Sequence, residues 1–357
     1  VARAAARRRA TDAMKVVYSD AHRAHRGGRE IHRGELMPIH EIPERLDPVL
    51  ARLRATRCGE MVVPRRHDDA PLHAVHRPDY VRFLAGAWDA WHAEEPDQPC
   101  ALAWVFPGPR PRATPPAGIH GKLGYYAFDL SAPIVAGTWL AARTAADIAL
   151  SAQELVSAGE RAAFALCRPP GHHAGIALAG GYCYLNNAAI AAQAFRDHGA
   201  ARVAVLDVDY HHGNGTQAIF YARADVLYVS LHADPDDEFP FYHGYTDETG
   251  AGEGEGSNLN LPLAAGTGWS RYGEALAHGI ERIRAFAPEA LVVSLGVDTF
   301  AGDPISRFTL VHDDFVRIGA AIAGLGLPTL FVMEGGYAVD AIGVNTVNVL
   351  LGFEQAG

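Results

Sequence analysis

This 357-residue chain is short of positive charge: 31 lysines and arginines face 41 aspartates and glutamates, for a formal net charge of −10. That balance argues against a nucleic-acid partner, whose recognition needs a net basic face. Cysteine is also scarce. The four present, Cys58, Cys100, Cys167 and Cys183, show no CxxC spacing, which speaks against a disulfide framework and predicts free thiols in a reducing, cytoplasmic setting. No run approaches the roughly 18 apolar residues of a membrane span; the nearest, 133–150, is broken by Arg143 and Asp147. Arg3, Arg7, Arg8 and Arg9 are followed by no apolar segment, so a secretory signal is not expected. Residues 1–13 are expected to be a disordered lead or a start-site artefact. The glycine-rich stretch 250–256 lacks GxGxxG spacing and runs into the strand-like Asn258-Leu259-Asn260-Leu261, which predicts a flexible loop and no dinucleotide site.

What is present is an enzyme-like composition, 49% hydrophobic and 20% charged, with a regular alternation of patterns. Residues 14–19 look like a first strand. Apolar runs at 162–167, 203–209, 226–231, 291–295 and 329–334 alternate with helical periodicity near 137–158, 186–198, 270–286 and 313–324. This is the pattern of a parallel sheet covered on both faces, and it predicts one α/β domain over 14–357. Each strand ends in a polar or glycine-rich turn, and in open parallel sheets the ligand site lies just beyond the carboxyl ends. One stretch departs from the pattern. Residues 88–126 read as an insertion, holding Trp88, Trp91 and Trp104 and a proline-rich part at 107–116; such a loop is suited to packing on a second subunit, and a homodimer is expected.

The segment Leu206-Asp207-Val208-Asp209-Tyr210-His211-His212-Gly213 carries the most chemistry. On an extended backbone Asp209 and His211, two residues apart, point the same way and can reach one metal ion. Oxygen and imidazole donors without thiolate suit a catalytic zinc or a similar divalent ion; a strand running into an acidic turn is the plain alternative. A catalytic site wants about three protein ligands and an open position. Asp298, at the end of another buried strand, is the best third, against a role as a helix N-cap. His172-His173, fixed behind Pro169-Pro170-Gly171, read as proton-transfer groups beside a metal-activated water, with Asp207 and Asn214 as their natural orienters. Tyr337, behind Gly335-Gly336, can donate to a developing oxyanion or simply pack. Together these parts describe metal-assisted hydrolysis of an amide or related carbonyl.

Five ordered motifs carry a resemblance: Cys167-Arg168-Pro169-Pro170-Gly171-His172-His173-Ala174-Gly175, Gly180-Gly181-Tyr182-Cys183-Tyr184-Leu185-Asn186-Asn187, Asp207 through Thr216, Gly296-Val297-Asp298 and Glu334-Gly335-Gly336-Tyr337. They resemble the zinc-dependent histone deacetylase superfamily, and within it the bacterial acetylpolyamine amidohydrolases, from about Met14 to the C-terminus. The resemblance implies the three-layer arginase–deacetylase fold, an eight-stranded parallel sheet flanked by helices. It implies zinc on Asp209, His211 and Asp298, His173 as general base and acid, His172 with Asp207 as electrostatic partner, and Tyr337 as polariser of the scissile carbonyl. Tyr182 and Phe239, with Gly181, match the walls of the family's acyl-lysine tunnel. A structural potassium is implied on Asp207, Asp209, His211, Ser230 and Leu231, and the 88–126 insertion is similar to the loop through which the polyamine branch dimerises.

Where the resemblance stops bears on the substrate. Polyamine-specific members carry glutamates at the positions of His120 and Ser131. Between 105 and 135 the only acid is Asp129, against Arg110, Arg112 and Lys122. A loop so charged should repel a polycation unless Asp129, or Asp236, Asp237 and Glu238 beside Phe239, outweigh it. The leading expectation is therefore a zinc-dependent amidohydrolase that removes acetyl or a short acyl group from a small-molecule amine. Protein lysine deacetylation is the alternative, disfavoured by a capped mouth. Arginase-like chemistry needs more carboxylates than are present. A non-catalytic acyl-amine binding protein should have lost a ligand, a tandem histidine or Tyr337, and none is missing.

Overall fold

The computed structural model describes residues 13–32, 34–108 and 113–356. All but one residue of the expected lead at 1–13 lies outside these residues, as do Arg110 and Arg112. One sheet organises the chain. In spatial order it runs β4 (Glu60–Val62), β1 (Lys15–Val17), β5 (Ala162–Ala165), β10 (Thr329–Met333), β9 (Ala290–Leu295), β6 (Val203–Asp207), β7 (Val226–Ala233) and β8 (Asn258–Leu263). Every neighbouring pair is parallel. A separate antiparallel hairpin joins β2 (Arg29–His32) to β3 (Glu35–Pro38).

Alternation along each strand divides the interior into two cores, because successive side chains leave opposite faces of a sheet. Val203 and Val205, Ala290 and Val292, and Leu330 and Val332 enter one core. Their neighbours Ala204 and Leu206, Leu291 and Val293, and Phe331 and Met333 enter the other. The first core is closed by α3 (Pro78–Glu94), α5 (Thr138–Ser157) and α6 (Asn187–Asp197), with the short α2 (Ala70–His73), α4 (Ile119–Tyr125) and α7 (Asn214–Phe220) around them. The second is closed by α1 (Leu46–Thr56), α8 (Trp269–Phe286), α9 (His312–Ala323) and α10 (Val339–Ala356). In α8 the apolar residues Tyr272, Leu276, Ile280 and Ile283 recur at helical spacing and are buried. Each such side chain contributes about 1.5–3 kcal/mol on leaving water. The expected helix–sheet–helix layering is what forms, and the expected strands and helices appear within a few residues of their predicted bounds.

Strand order brings the motifs together. β5 and β6 follow each other in the sequence but not in the sheet, and β9 and β10 fill the gap between them. The turns after β5, β6, β9 and β10 therefore open at adjacent points on one edge, although they lie up to 165 residues apart in the chain (from 172 to 337). Three expectations need correction. The strand at 203–209 stops at Asp207, so Asp209 and His211 lie in a bend and not on extended backbone. No helix starts after Asp298, which removes the N-cap alternative. The supposed insertion at 88–126 begins inside α3, where Trp91 is buried in the chain's own core because it falls on the helix face that also carries Tyr80, Leu84 and Ala87.

Candidate active site

Asp209, His211 and Asp298 offer ligand atoms that all lie within 4.8 Å of one another, and all three residues are buried. The convergence comes from side-chain–backbone bonds in the bend, since the strand has already ended. Asp209 Oδ1 accepts from the His211 N–H at 2.9 Å, and Asp298 Oδ1 accepts from the Tyr210 N–H at 2.8 Å. Gly335 closes the third side, donating its N–H to Asp209 Oδ2 at 2.8 Å. Glycine is required there: a Cβ would stand 2.5 Å from Asp209 Oδ2 and 2.6 Å from Asp298 Oδ2.

The electrostatics call for a cation. Burial, and then the charge of Asp209, push the Asp298 carboxyl up to about 7. Burial opposes protonation of His211, yet hydrogen bonds and charge from Asp209 and Asp298 raise it to about 10. Two buried carboxylates sharing a site cannot both ionise without a positive partner. The donor set of two carboxylates and one imidazole fits a catalytic divalent metal with an open position.

The tandem histidines differ in environment. His172 Nδ1 lies 3.0 Å from Asp207 Oδ2; burial opposes its protonation, but the charges of Asp209 and Asp207 raise it to about 10. His173 Nδ1 lies 2.8 Å from the amide oxygen of Asn214. Burial, then the neighbouring His172 and His211, hold His173 well below its ordinary range. The pair is therefore split into a cation and a neutral base, with Asn214 selecting the Nδ1–H tautomer of His173 and leaving Nε2 as acceptor. Gly181 packs against this ring: a Cβ there would stand 2.3 Å from His173 Cδ2.

Tyr337 is buried beside Tyr182, with ring centroids 5.6 Å apart at 60°. Burial drives its phenol well above the usual range, although Arg45, whose guanidinium lies 4.6 Å from the ring centroid, pulls the other way. It stays a protonated donor. Phe239 stands edge-on to His173 at 5.0 Å. His173, His211, Tyr182, Phe239 and Tyr337 line one cavity of about 690 Å³.

The outer residues separate. Asp129, Ser131 and Gly181 line this cavity, and so do Asp237 and Glu238, whereas Asp236 does not. Asp129 is tied down, its oxygens accepting from the Ser131 N–H at 3.0 Å and the Gly181 N–H at 2.8 Å. Burial pushes its carboxyl up to about 6. His120 lies outside the cavity wall, in an adjoining groove with Trp104 and Phe106. Ile119 and Leu123 of α4 face the core, which turns His120 toward Trp91 and the carboxylates of Glu94 and Glu95. Asp207 and Ser230 are cross-strand partners in the β6–β7 register, and Leu231 follows, fully buried.

Several further residues have a part in the site. Glu30, from the hairpin, lines the cavity and accepts from the Tyr182 hydroxyl at 2.9 Å. Tyr228 donates to Asp207 Oδ2 at 2.9 Å. Glu334 accepts from the Gly171 N–H at 2.6 Å and the His172 N–H at 3.2 Å, which clamps the histidine turn. Arg45 donates to the carbonyls of Glu334 and Gly336, both at 2.7 Å. Glu334 carries a sequence signal, a charge at the end of a buried apolar strand beside two glycines; Glu30 and Arg45 reach the site only through contacts more than 100 residues distant in sequence.

A family model for the histone deacetylase domain matches residues 39–352. The chain belongs to the histone deacetylase family. It is an amide-hydrolysing deacetylase, and the family implies a catalytic metal. Among curated relatives, acetylpolyamine amidohydrolase 1 of Pseudomonas aeruginosa is 55% identical over 345 residues, covering 96% of this chain and 99% of that protein. Acetylpolyamine amidohydrolase of Mycoplana ramosa is 48% identical over 339 residues, covering 95% and 99%. The crystal structure of acetylpolyamine aminohydrolase from Burkholderia pseudomallei superposes with a TM-score of 0.92 at 41% identity, covering 96% of this chain and 99% of that one.

Proposed function

We propose that this deacetylase acts on acetylated polyamines, releasing acetate from an amine whose far end is cationic. One observation carries the reading: the metal-ligand triad, a neutral His173 and a protonated Tyr337 meet in a single cavity whose walls are acidic. Among the described residues, Glu30, Asp129, Asp237 and Glu238 line it against one arginine, Arg307, and that arginine is 3.2 Å from Glu238. Lys122 belongs to a different groove. Among the described residues of the cavity, Glu30, Asp237 and Glu238 from distant segments join Asp129 and outnumber the one arginine, which counters the repulsion expected from the loop 105–135; Arg110 and Arg112 of that loop lie outside the described residues. The names of the relatives support the same substrate class.

Zinc on Asp209, His211 and Asp298 would supply Lewis acidity toward the carbonyl oxygen and toward water. His173 Nε2 takes the proton from the attacking water and returns it to the departing amine. The cationic His172, held by Asp207, stabilises negative charge as it develops beside it. The Tyr337 hydroxyl donates to the carbonyl oxygen, a bond that strengthens as the oxygen becomes anionic. Tyr182 and Phe239 flank the acyl group and keep bulk water out.

The same reading assigns a structural potassium to Asp207, Asp209, His211, Ser230 and Leu231. It assigns a homodimer to the 88–126 region, supported by the exposed Trp104 and Val105. The four cysteines are buried and unpaired, which fits a cytoplasmic setting. Among the described residues no helix is long and apolar enough to cross a membrane. The test is a panel of acetylputrescine, acetylspermidine, acetylcadaverine, free acetyl-lysine and an acetyl-lysine peptide compared by kcat/KM with the zinc-loaded enzyme. Acetylpolyamines should lead by at least tenfold. A lead for the peptide would overturn the substrate assignment.

A further inference from the structure

Tyr337 follows Gly335 and Gly336, the second at a φ of +120°, and lies two residues before the start of α10. Arg45 holds it from one side, donating to the Gly336 carbonyl at 2.7 Å with its guanidinium 4.6 Å from the Tyr337 ring centroid. From the other side, the N–H of the same peptide is held by Asp303. Asp303 Oδ2 accepts from the Tyr337 N–H at 2.6 Å and from the Ala338 N–H at 3.0 Å. Its other oxygen accepts from the Ile305 N–H at 3.2 Å, and Ile305 lines the substrate cavity. One buried carboxylate thus joins the cavity wall to the segment that carries the phenol.

We propose that Asp303 is a positioning residue: it sets the height and direction of the Tyr337 hydroxyl by bridging its backbone to the loop 303–306. The proposal rests on the reading of Tyr337 as the carbonyl donor. A competing role is visible in the same bonds. Ala338 accepts from the Ala341 and Ile342 N–H groups, so Asp303 also occupies the N-terminal end of α10, where a carboxylate is favourable for any helix. A cap alone would stabilise the helix without regard to what Tyr337 does. Positioning predicts something narrower, because an oxyanion donor works only within a few tenths of an ångström of its best place.

The decisive experiment is a double-mutant cycle in the zinc-loaded enzyme on the best acetylamine of the panel, reading kcat, KM, metal content and thermal unfolding. Asp303→Ala should lower kcat by ten- to a hundredfold with KM within threefold of wild type and a full metal complement. In a Tyr337→Phe background the same change should cost less than twofold, since no hydroxyl remains to misplace. Asp303→Asn keeps one acceptor oxygen for the Tyr337 and Ala338 N–H groups and should restore at least half of the lost kcat on a logarithmic scale; it also stands in if the alanine variant fails to fold. Equal losses of kcat from Asp303 substitution with and without the Tyr337 hydroxyl would overturn positioning and leave a cap. An unchanged kcat in Asp303→Ala would do the same. Near-normal turnover by Tyr337→Phe alone would instead refute the underlying reading of Tyr337, so the two failures are distinguishable.

Discussion

His76 is held in one protonation state by two backbone groups. Its Nδ1 lies 2.9 Å from the carbonyl of Gly175 and must donate; its Nε2 accepts from the Asn186 N–H at 2.9 Å. A second proton on Nε2 would face an N–H, so the folded protein has no place for the cation. Burial accordingly lowers this imidazole from 6.5 to about 4. In the unfolded chain it titrates near 6.5, so between about pH 6.5 and 4 the unfolded state binds the extra proton. Stability from this group is complete above about pH 6.5 and falls as pH drops toward 4. With these two values the loss at pH 5 is about 2 kcal/mol. Other buried groups shift in both directions, so the contribution has to be isolated by substitution. His76→Gln keeps one donor and one acceptor in similar places and removes the titration. Equilibrium urea unfolding of both proteins at pH 7.5 and pH 5, with saturating zinc, gives the difference in stability at each pH. Whatever the deficit of the variant at pH 7.5, it should shrink by about 2 kcal/mol at pH 5. Parallel pH dependences would refute the argument. The bond matters to the site as well, because Gly175 lies two residues beyond His173 and Asn186 caps α6.

Tyr337→Phe should lower kcat by about 10²–10³, the usual cost of one oxyanion donor, while elemental analysis finds an undiminished metal complement; near-normal activity would remove the hydroxyl from the mechanism. Asp298→Ala should bind zinc far more weakly than wild type in a competition with a chelator, and unchanged affinity would exclude it as a ligand. Gly335→Ala should lose metal affinity without touching a ligand, since its methyl would push both carboxylates aside, and an unaltered zinc affinity would show that the loop can retreat.

The sequence by itself determined the sheet, most of its strands and the identity of the reacting groups. Buried parallel strands announce themselves as unbroken apolar runs, and the turns after them carried Asp209, His211, Asp298, His172, His173 and Tyr337 in plain view. Asp209 and His211 nonetheless converge through a hydrogen-bonded bend past the strand's end, and not as an extended i, i+2 pair. His120 shows the limit of position in the chain, since a short helix turned it to the far side of its own core contacts. Tertiary structure alone decided what surrounds the chemistry. Placing β9 and β10 between β5 and β6 brought the motifs to one edge, and it delivered Glu30, Arg45 and Asp303 from segments with no signature. A ligand set can be read from residue types because metal chemistry restricts them. A charge that lines a cavity, or a carboxylate that holds a catalytic backbone, gains its role only from a distance in space, and local pattern does not encode that distance.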